Sequence, residues 1–353
     1  MLLPGLLIAL CCVVVAFATA LVIRRRASRL GLVAEVTARS SHTIPTPTGG
    51  GLGIVLATSL AGVFVAVPYP FEIYPVIVAG LLIAAVGYLD DSQPMPASWR
   101  LGAQLLLAGA VAISLPLDLL GSQLGVALPA IVLIALLMLA GALWINLFNF
   151  MDGIDGLAAG EAIFLLLGAL FLAWWFEPGV WSQGLFWWMA WLAAACLGFL
   201  LLNWAPAKIF LGDAGSTYLG LMLFFFALAT MAGAWLSLAQ WLILGAAFLA
   251  DSLTTLVRRA LRRERIWQAH RSHAYQYLQR RLGSHARTTL LYLAVNLVLL
   301  LPLAWLAGAN PQYGWALLLM AYAILIPAAL FAGAGAELEP QAQEEGAGAH
   351  DRE

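Results

Sequence analysis

Long apolar stretches separated by short polar loops make up almost the whole chain. A near-continuous apolar segment of about 17–25 residues has the length of a helix that crosses a bilayer. The pattern therefore predicts an all-α integral membrane protein, a polytopic bundle of about 11 transmembrane helices whose polar loops carry the chemistry. The predicted spans are 1–23, 51–67, 74–89, 101–120, 126–147, 157–176, 185–202, 216–232, 236–256, 288–306 and 313–332.

Composition supports this class and excludes a soluble enzyme. Hydrophobic residues make up 63% of the chain and charged residues only 10%, whereas a soluble domain averages about 25% charged residues. The longest polar loop, 257–287, is too short to form a separate domain. We predict one membrane domain over 1–335 and an acidic, disordered tail over 336–353.

The distribution of cations predicts the orientation of the spans. When the eleven spans alternate across the membrane, all 16 Arg and the single Lys fall in loops on one side. The only charged residues in the opposite loops and at their edges are acidic. Cationic loops stay in the cytoplasm during insertion, so this side is predicted to be cytoplasmic and the N-terminus to lie outside. The first span is interpreted as an anchor rather than a signal peptide, because its basic residues follow the apolar run.

Five polar segments fall on the predicted cytoplasmic side, which suggests a single active surface. Alternatives exist for each segment taken alone. A pair of aspartates can be a solvated helix end, and a glycine cluster beside prolines can be a stiff bend rather than a phosphate cradle. Histidines in a basic loop are usually surface residues. The segments are PTPTGGG (45–51), YLDD (88–91), NFMDGIDG (149–156), NWAPAKIFLGDAGS (203–216) and RRALRRERIWQAHRSHAYQ (258–276).

Electrostatics links the five segments. Two carboxylates about 4 Å apart repel by about 4 kcal/mol at an effective dielectric constant near 20, so a cluster of aspartates needs a cation. Oxygen ligands without cysteine or histidine suit Mg²⁺, with Mn²⁺ as an alternative. Nine arginines between 258 and 287 supply positive charge for a phosphate or pyrophosphate. The aspartates concerned are Asp90, Asp91, Asp152, Asp155, Asp213 and Asp251.

The order of these motifs resembles that of the polyprenyl-phosphate N-acetylhexosamine-1-phosphate transferases, a glycosyltransferase family 4-like group. The resemblance covers residues 42–287 and rests chiefly on DGIDG and LGDAGS in that order. It implies a Mg²⁺-dependent transfer of a sugar-1-phosphate from a UDP-N-acetylhexosamine to undecaprenyl phosphate, with release of UMP, in the bacterial inner membrane. No nucleic-acid partner is expected, and a homodimer is left open.

The resemblance also implies roles for individual residues. The DD pair is expected to face the lipid phosphate, the aromatic residue of KIFLGD to stack on uracil, and the histidine of HAYQ to lie near the donor phosphates. The predicted catalytic residues are Asp90, Asp91, Asp152, Asp155 and His273; the metal ligand is Asp213; the substrate-binding residues are Gly49, Gly50, Asn149, Asn203, Lys208, Phe210 and Arg271.

One departure from the family pattern affects the choice of pathway. The phospho-N-acetylmuramoyl-pentapeptide transferases of peptidoglycan synthesis carry a run of histidines in the last loop, whereas this chain has only HRSH. The HRSHAYQ form resembles the enzymes that initiate O-antigen-like surface polysaccharides. The peptidoglycan enzyme remains the alternative, with an ion-coupled transporter as a more distant one. The sugar itself (GlcNAc, FucNAc or QuiNAc) is not identified by any motif.

Overall fold

The computed structural model describes residues 2–34, 44–67, 70–93, 95–265 and 270–336. The predicted acidic tail lies, apart from Ala336, outside the described residues. The chain is helical, with one antiparallel two-stranded bridge that pairs Val33 with Pro47 and Ala34 with Thr46. The all-α prediction is confirmed.

Fifteen α-helices, two short 3₁₀ turns (Pro178–Ser182 and Pro311–Tyr313) and a π-helical turn (Asn296–Leu300) are present in the described residues. The strands are β1 (Val33–Ala34) and β2 (Thr46–Pro47). The helices are α1 (Leu2–Leu30), α2 (Leu52–Ala66), α3 (Pro70–Ser92), α4 (Ala97–Ile113), α5 (Leu117–Gln123), α6 (Ala130–Phe150), α7 (Leu157–Phe176), α8 (Gly184–Asn203), α9 (Asp213–Ala232), α10 (Leu238–Leu244), α11 (Ala246–Leu261), α12 (Ala274–Leu282), α13 (His285–Val295), α14 (Leu301–Ala309) and α15 (Gly314–Ala332).

Each of the eleven apolar segments coincides with a helix or with consecutive helices, but the predicted count of eleven spans is not confirmed. Within the described residues, eight helical stretches, one of them the continuous stretch His285–Ala309, are long and apolar enough to cross a membrane, and two bent pairs would raise the number to ten. Helix α2 has only 15 residues, which gives a length of about 22 Å against a hydrocarbon core of about 30 Å.

Two predicted straight spans are bent. Helices α4 and α5 meet at 94°, and α10 and α11 meet at 76°. Pro116 precedes α5 and has no backbone N–H to donate to the preceding turn, while Gly245 separates α10 from α11. Because both helices of each pair are apolar, hydropathy alone predicted each pair as a single span.

Helix α9 lies at the centre of the bundle. In the most apolar 18 residues of α9, 89% are buried, whereas the corresponding share is 22% in α1 and in α15. Its Phe225 and Phe226 pack against Trp188 of α8, with ring centroids 5.5 Å apart in both pairs. Large apolar side chains such as Phe331 and Val298 remain exposed on the periphery, as expected of a surface that faces lipid.

The residues after α15 fold back onto the last loop, and we call residues 333–336 the C-terminal strap. The backbone N–H of Gly335 donates to the carbonyl of Ser272 at 2.6 Å, and Arg258 donates to the carbonyl of Ala334 at 2.6 Å. Arg262 donates to the carbonyl of Gly335. Strap and last loop are therefore one hydrogen-bonded unit.

Candidate active site

One cavity of about 270 Å³ collects residues from all five polar segments. The prediction of a single surface built from separate loops is therefore matched by the geometry. The lining residues are Thr48, Asp91, Asp152, Gly153, Ile154, Asp155, Asn203, Phe210, Leu211, Gly212, Asp213, Gln276 and His285.

The glycines of PTPTGGG form a packing contact beneath this cavity. A Cβ on Gly51 would lie 2.3 Å from the Cα of Gly215, and a Cβ on Gly50 would lie 2.6 Å from the ring of Phe199. Gly50 and Gly51 donate their N–H groups to the carbonyls of residues 210 and 211. Gly49 and Gly50 do not line the cavity, so the structure favours the packing interpretation over a phosphate cradle.

Asp91 caps the first turn of helix α9. Its carboxylate accepts hydrogen bonds from the backbone N–H groups of Asp213 and Ala214, at 3.1 and 3.4 Å. The first N–H groups of a helix have no partner within the helix, and an anion there is also favoured by the helix dipole. Asp91 therefore joins the end of α3 to the start of α9 while also lining the cavity.

Asp90 points to the other side of α3, into a smaller space of about 50 Å³. Its carboxylate accepts from Arg100 at 2.5 Å and from the backbone N–H of Met95 at 2.7 Å. The Arg100 guanidinium also lies 3.8 Å from the carboxylate of Asp213. Asn149 lines the same small space and accepts a hydrogen bond from Ser216 at 2.6 Å.

Asp152 and Asp213 bring their negative charge to the main cavity. Burial, followed by the negative charges of Asp213, Asp91 and Asp155, raises the pKa of Asp152 well above its ordinary value. Four carboxyl groups thus share the cavity without a Lys or Arg among the described lining residues, and Arg100 approaches Asp213 from the smaller space.

Asp155 is held by two neighbouring segments. Its Oδ1 lies 3.1 Å from Nδ1 of His285, and its Oδ2 accepts the backbone N–H of Ala207 at 3.0 Å. The hydroxyl of Thr289 donates to its carbonyl at 2.9 Å. These contacts tie the DGIDG loop to the residues before α9 and to the start of α13.

Asn203 links the DGIDG loop to the segment before α9. Its side-chain oxygen accepts from the backbone N–H of Gly156, and its amide nitrogen donates to the carbonyl of Ile209, both at 3.0 Å. Phe210 lines the cavity and is half-buried, as a stacking residue requires. Lys208 is exposed and is not among the lining residues.

His273 does not line this cavity. Its side chain is buried, with Nδ1 3.4 Å from Oδ1 of Asp251, and its ring stacks on His270 with centroids 4.8 Å apart. Asp251 accepts from the backbone N–H groups of Ala274 and Tyr275 at 2.8 and 3.0 Å, so it anchors the start of helix α12. The sequence-based grouping of Asp251 with the cavity aspartates is therefore wrong, because backbone donors already surround it.

The arginines of the last loop are largely directed elsewhere. Arg258 and Arg262 bind the C-terminal strap, and Arg259 pairs with Glu264 at 2.7 Å. Arg280 lies over the ring of Tyr277, 4.2 Å from its centroid. Arg271 is half-buried and is not among the lining residues. The expected arginine lining of the phosphate site is not present in this conformation.

Comparisons with known proteins place the chain in a family. The model described as Glycosyl transferase family 4 matches residues 73–231. The decaprenyl-phosphate N-acetylglucosaminephosphotransferase of Mycolicibacterium smegmatis is 32% identical over 317 residues, which cover 78% of this chain and 76% of the relative. The enzyme with the same description from Mycobacterium tuberculosis is 32% identical over 316 residues, with the same coverage.

The chain belongs to the polyprenyl-phosphate N-acetylhexosamine-1-phosphate transferases. A phospho-N-acetylmuramoyl-pentapeptide-transferase of Chlamydia trachomatis is also similar, at 31% identity over 263 residues, or 65% of this chain and 74% of the relative. The protein is thus a multi-pass membrane phosphotransferase of the polyprenyl-phosphate sugar-phosphate class.

The cavity of this transferase fits a cation that is shared with substrate. No three His, Cys, Asp or Glu side chains in the described part of the chain are grouped closely enough to enclose a metal ion. Mg²⁺, however, is commonly bound by one or two carboxylates together with substrate phosphates and water. The carboxylates of Asp213 and Asp152, in a cavity with excess negative charge, provide such a donor set.

Four residues of the transferase site were missed by sequence reasoning. Thr48 and Gln276 lie within PTPTGGG and HRSHAYQ, but their polar side chains alone did not distinguish them as site residues. Arg100 lies in the first turn of α4, ten residues after Asp90, and only the folded chain shows that they pair. His285 follows Gly283 and Ser284, which indicate only a helix end and a helix start.

Proposed function

We propose that this protein transfers a sugar-1-phosphate from a UDP-N-acetylhexosamine to undecaprenyl phosphate, giving undecaprenyl-diphosphate-sugar and UMP. The observation that carries the proposal is the cavity in which Asp91, Asp152 and Asp213 from three separate segments meet beside Phe210. Two of the relatives act on decaprenyl phosphate and transfer N-acetylglucosamine phosphate by name, which supports a polyprenyl acceptor and an N-acetylhexosamine donor here.

The reaction is an in-line exchange at the sugar-bearing phosphorus of the donor. A terminal oxygen of the lipid phosphate forms a bond to that phosphorus, the bridging P–O bond to the nucleotide breaks, and UMP leaves with the electron pair. Mg²⁺, or Mn²⁺ in its place, would be held by Asp213 and would offset the negative charge that develops on UMP. Phe210, which lines the cavity, would stack on the uracil and thereby position the donor.

The attack is proposed to be direct, without an aspartyl-phosphate intermediate. The carboxylates of Asp90, Asp91 and Asp155 are each engaged by N–H groups or by a cationic partner, which weakens them as nucleophiles. A phosphate monoester has its second pKa near about 6, so the acceptor is already mostly a dianion at neutral pH. Labelled UMP should therefore enter the UDP-sugar only when lipid is present. Rapid exchange in lipid-stripped protein would establish the two-step route instead.

Release of UMP by detergent-solubilised protein tests the function itself. We expect release with undecaprenyl phosphate and one of UDP-GlcNAc, UDP-FucNAc or UDP-QuiNAc, in keeping with initiation of an O-antigen-like surface polysaccharide. UDP-N-acetylmuramoyl-pentapeptide belongs in the same panel, because turnover of that donor alone would assign the protein to peptidoglycan synthesis. Absence of UMP release with every donor would contradict the proposal.

The site is proposed to face the cytoplasm of a bacterial inner membrane, with the N-terminus outside. This orientation follows from the placement of all cations in loops on one side. Single cysteines at Glu177 and at Ser92, in a background without Cys11, Cys12 and Cys196, should differ in reaction with a membrane-impermeant thiol reagent on whole cells. Labelling at Glu177 and not at Ser92 is expected, and the reverse would invert the topology.

A further inference from the structure

The main cavity contains four carboxylates and one side chain that can carry positive charge. Among the lining residues that the structure describes, the acids are aspartates from the ends of three segments, and the basic side chain is His285. A donor diphosphate adds more negative charge to this space. Asp213 would hold a metal ion that offsets part of that charge, and hydrogen-bond donors from the protein would be needed for the remaining phosphate oxygens.

His285 is positioned by its surroundings rather than by its own flexibility. Gly283, at φ +63°, ends helix α12, and the hydroxyl of Ser284 accepts the backbone N–H of Arg287 at the start of helix α13. The ring nitrogen Nδ1 lies 3.1 Å from Oδ1 of Asp155 and 3.3 Å from its backbone nitrogen. Nδ1 is thus fixed against Asp155, and the His285 side chain, 16% exposed, lines the cavity.

The two predicted phosphate ligands of the last loop are less well placed. His273 is buried against Asp251, with 3% of its side chain exposed, whereas 16% of the His285 side chain is exposed. Arg271 is not among the lining residues. The only histidine that lines the cavity in the described residues is therefore the one that the motifs did not include.

We propose that His285 binds the donor, with a ring N–H donating a hydrogen bond to a phosphate oxygen of the nucleotide, and that Asp155 acts as its positioning residue. This inference rests on the proposed function, because it takes the cavity ligand to be a UDP-sugar. Asp155 then acts through His285 and through the loop contacts of its backbone and carboxylate, rather than on the reacting atoms.

The test compares two ligands that differ only in the phosphate. Affinities of UMP and of uridine for the detergent-solubilised full chain are measured for wild type and for His285→Gln. We expect the variant to bind UMP about 10- to 100-fold more weakly, the usual range for loss of a hydrogen bond to a charged group, and to bind uridine as wild type does. Asp155→Asn, which preserves the shape of the side chain, should lower the same UMP-to-uridine ratio by a smaller factor.

Thr289→Val is the matched control. Thr289 donates to the carbonyl of Asp155 from the same helix as His285 but does not line the cavity, so this variant should lower thermal stability and leave the ratio unchanged. An equal loss of UMP and uridine binding in His285→Gln would show loop distortion and overturn the inference. Wild-type protein that binds no UMP would fail the proposed function as well, whereas UMP release together with an unchanged ratio in His285→Gln would overturn the inference alone.

Discussion

Two histidine–aspartate pairs lie on the same side of the bundle and serve different ends. His273 and Asp251 approach to 3.4 Å with 3% and 1% of their side chains exposed, while His285 and Asp155 approach to 3.1 Å with 16% and 11% exposed. The first pair lies behind the wall of the cavity and the second forms part of that wall. Residue type and partner are identical, so only their surroundings separate them.

The surroundings differ in how many donors surround each carboxylate. Asp251 accepts from two backbone N–H groups of helix α12 and from the hydroxyl of Tyr292 at 2.7 Å, all of them buried. Asp155 accepts from one backbone N–H, that of Ala207, and keeps His285 beside the cavity. A carboxylate enclosed by helix donors maintains the fold, whereas one that retains a side facing a cavity can orient a ligand-binding group.

The largest expected effect comes from opening the buried pair. Asp251→Ala would leave His273, Tyr292 and two backbone N–H groups without their acceptor, and removal of one partner from a buried polar pair costs about 3–5 kcal/mol of stability. Thermal unfolding in detergent should show this loss, and UMP release should fall only in proportion to the folded fraction. A stable but inactive Asp251→Ala protein would show that His273 and Asp251 take part in the reaction, and the two histidine–aspartate pairs would then not differ in function.

On the cavity side, removal of the charge of Asp213 should act on turnover instead. Asp213→Asn is expected to lower UMP release about 100-fold or more, the scale for loss of one electrostatic element at a reacting centre, with little change in unfolding temperature. Glu264→Gln is the matched control, since its carboxylate pairs with Arg259 and Arg262 away from the cavity. Near-normal turnover of Asp213→Asn at limiting Mg²⁺ would exclude it as the metal ligand.

A smaller effect should reveal whether a cation balances the cavity. Burial and neighbouring carboxylates raise the pKa of Asp152, so in cation-free protein the stability tied to this group is retained at low pH and lost as the pH rises through the raised pKa. Mg²⁺ competes with that proton, so it should raise the unfolding temperature more at about pH 8 than at about pH 6. Asp152→Asn should weaken this pH dependence. An equal shift at both pH values would mean that Mg²⁺ binds elsewhere.

The outer surface of the last loop should give the smallest response. Arg280 is exposed and stacks on Tyr277, a contact worth about 0.5–1 kcal/mol at such a site. Arg280→Ala is therefore expected to reduce stability by no more than that and to leave UMP release within about a factor of two. A large loss of activity, with normal protein levels, would instead support the hypothesis that the arginines of this loop bind phosphate.

Hydropathy predicted the helical segments well, because a bilayer imposes a length and a polarity that the sequence must satisfy. It did not predict the bends at Pro116 and Gly245, since the apolar character continues through both. The count of eleven spans stays unconfirmed for the same reason, and because helix α2 is apolar but has only 15 residues. Apolar composition specifies where a helix is buried and does not specify its course.

In the candidate site, the meeting of Asp91, Asp152 and Asp213 followed from motif order and loop placement. The sequence did not show that Asp90 and Asp251 lie outside the main cavity. Asp90 pairs with Arg100, ten residues along the chain, and Asp251 accepts a hydrogen bond from the start of a helix 23 residues away. His285 gave no signal, as its sequence context reads only as a boundary between two helices. Such distinctions arise from which donors the folded chain brings to each carboxylate.

The C-terminal strap joins parts of the fold that are synthesised at different times. Arg258 and Ala334 are separated by 76 residues, so helices α11 and α12 leave the ribosome long before the segment that fastens them. The start of α12 is already held by Asp251 of α11, and the strap adds the last hydrogen bonds to this loop once α15 is in place. A chain that ends before residue 333 would therefore possess the aspartates of the site and still lack these contacts.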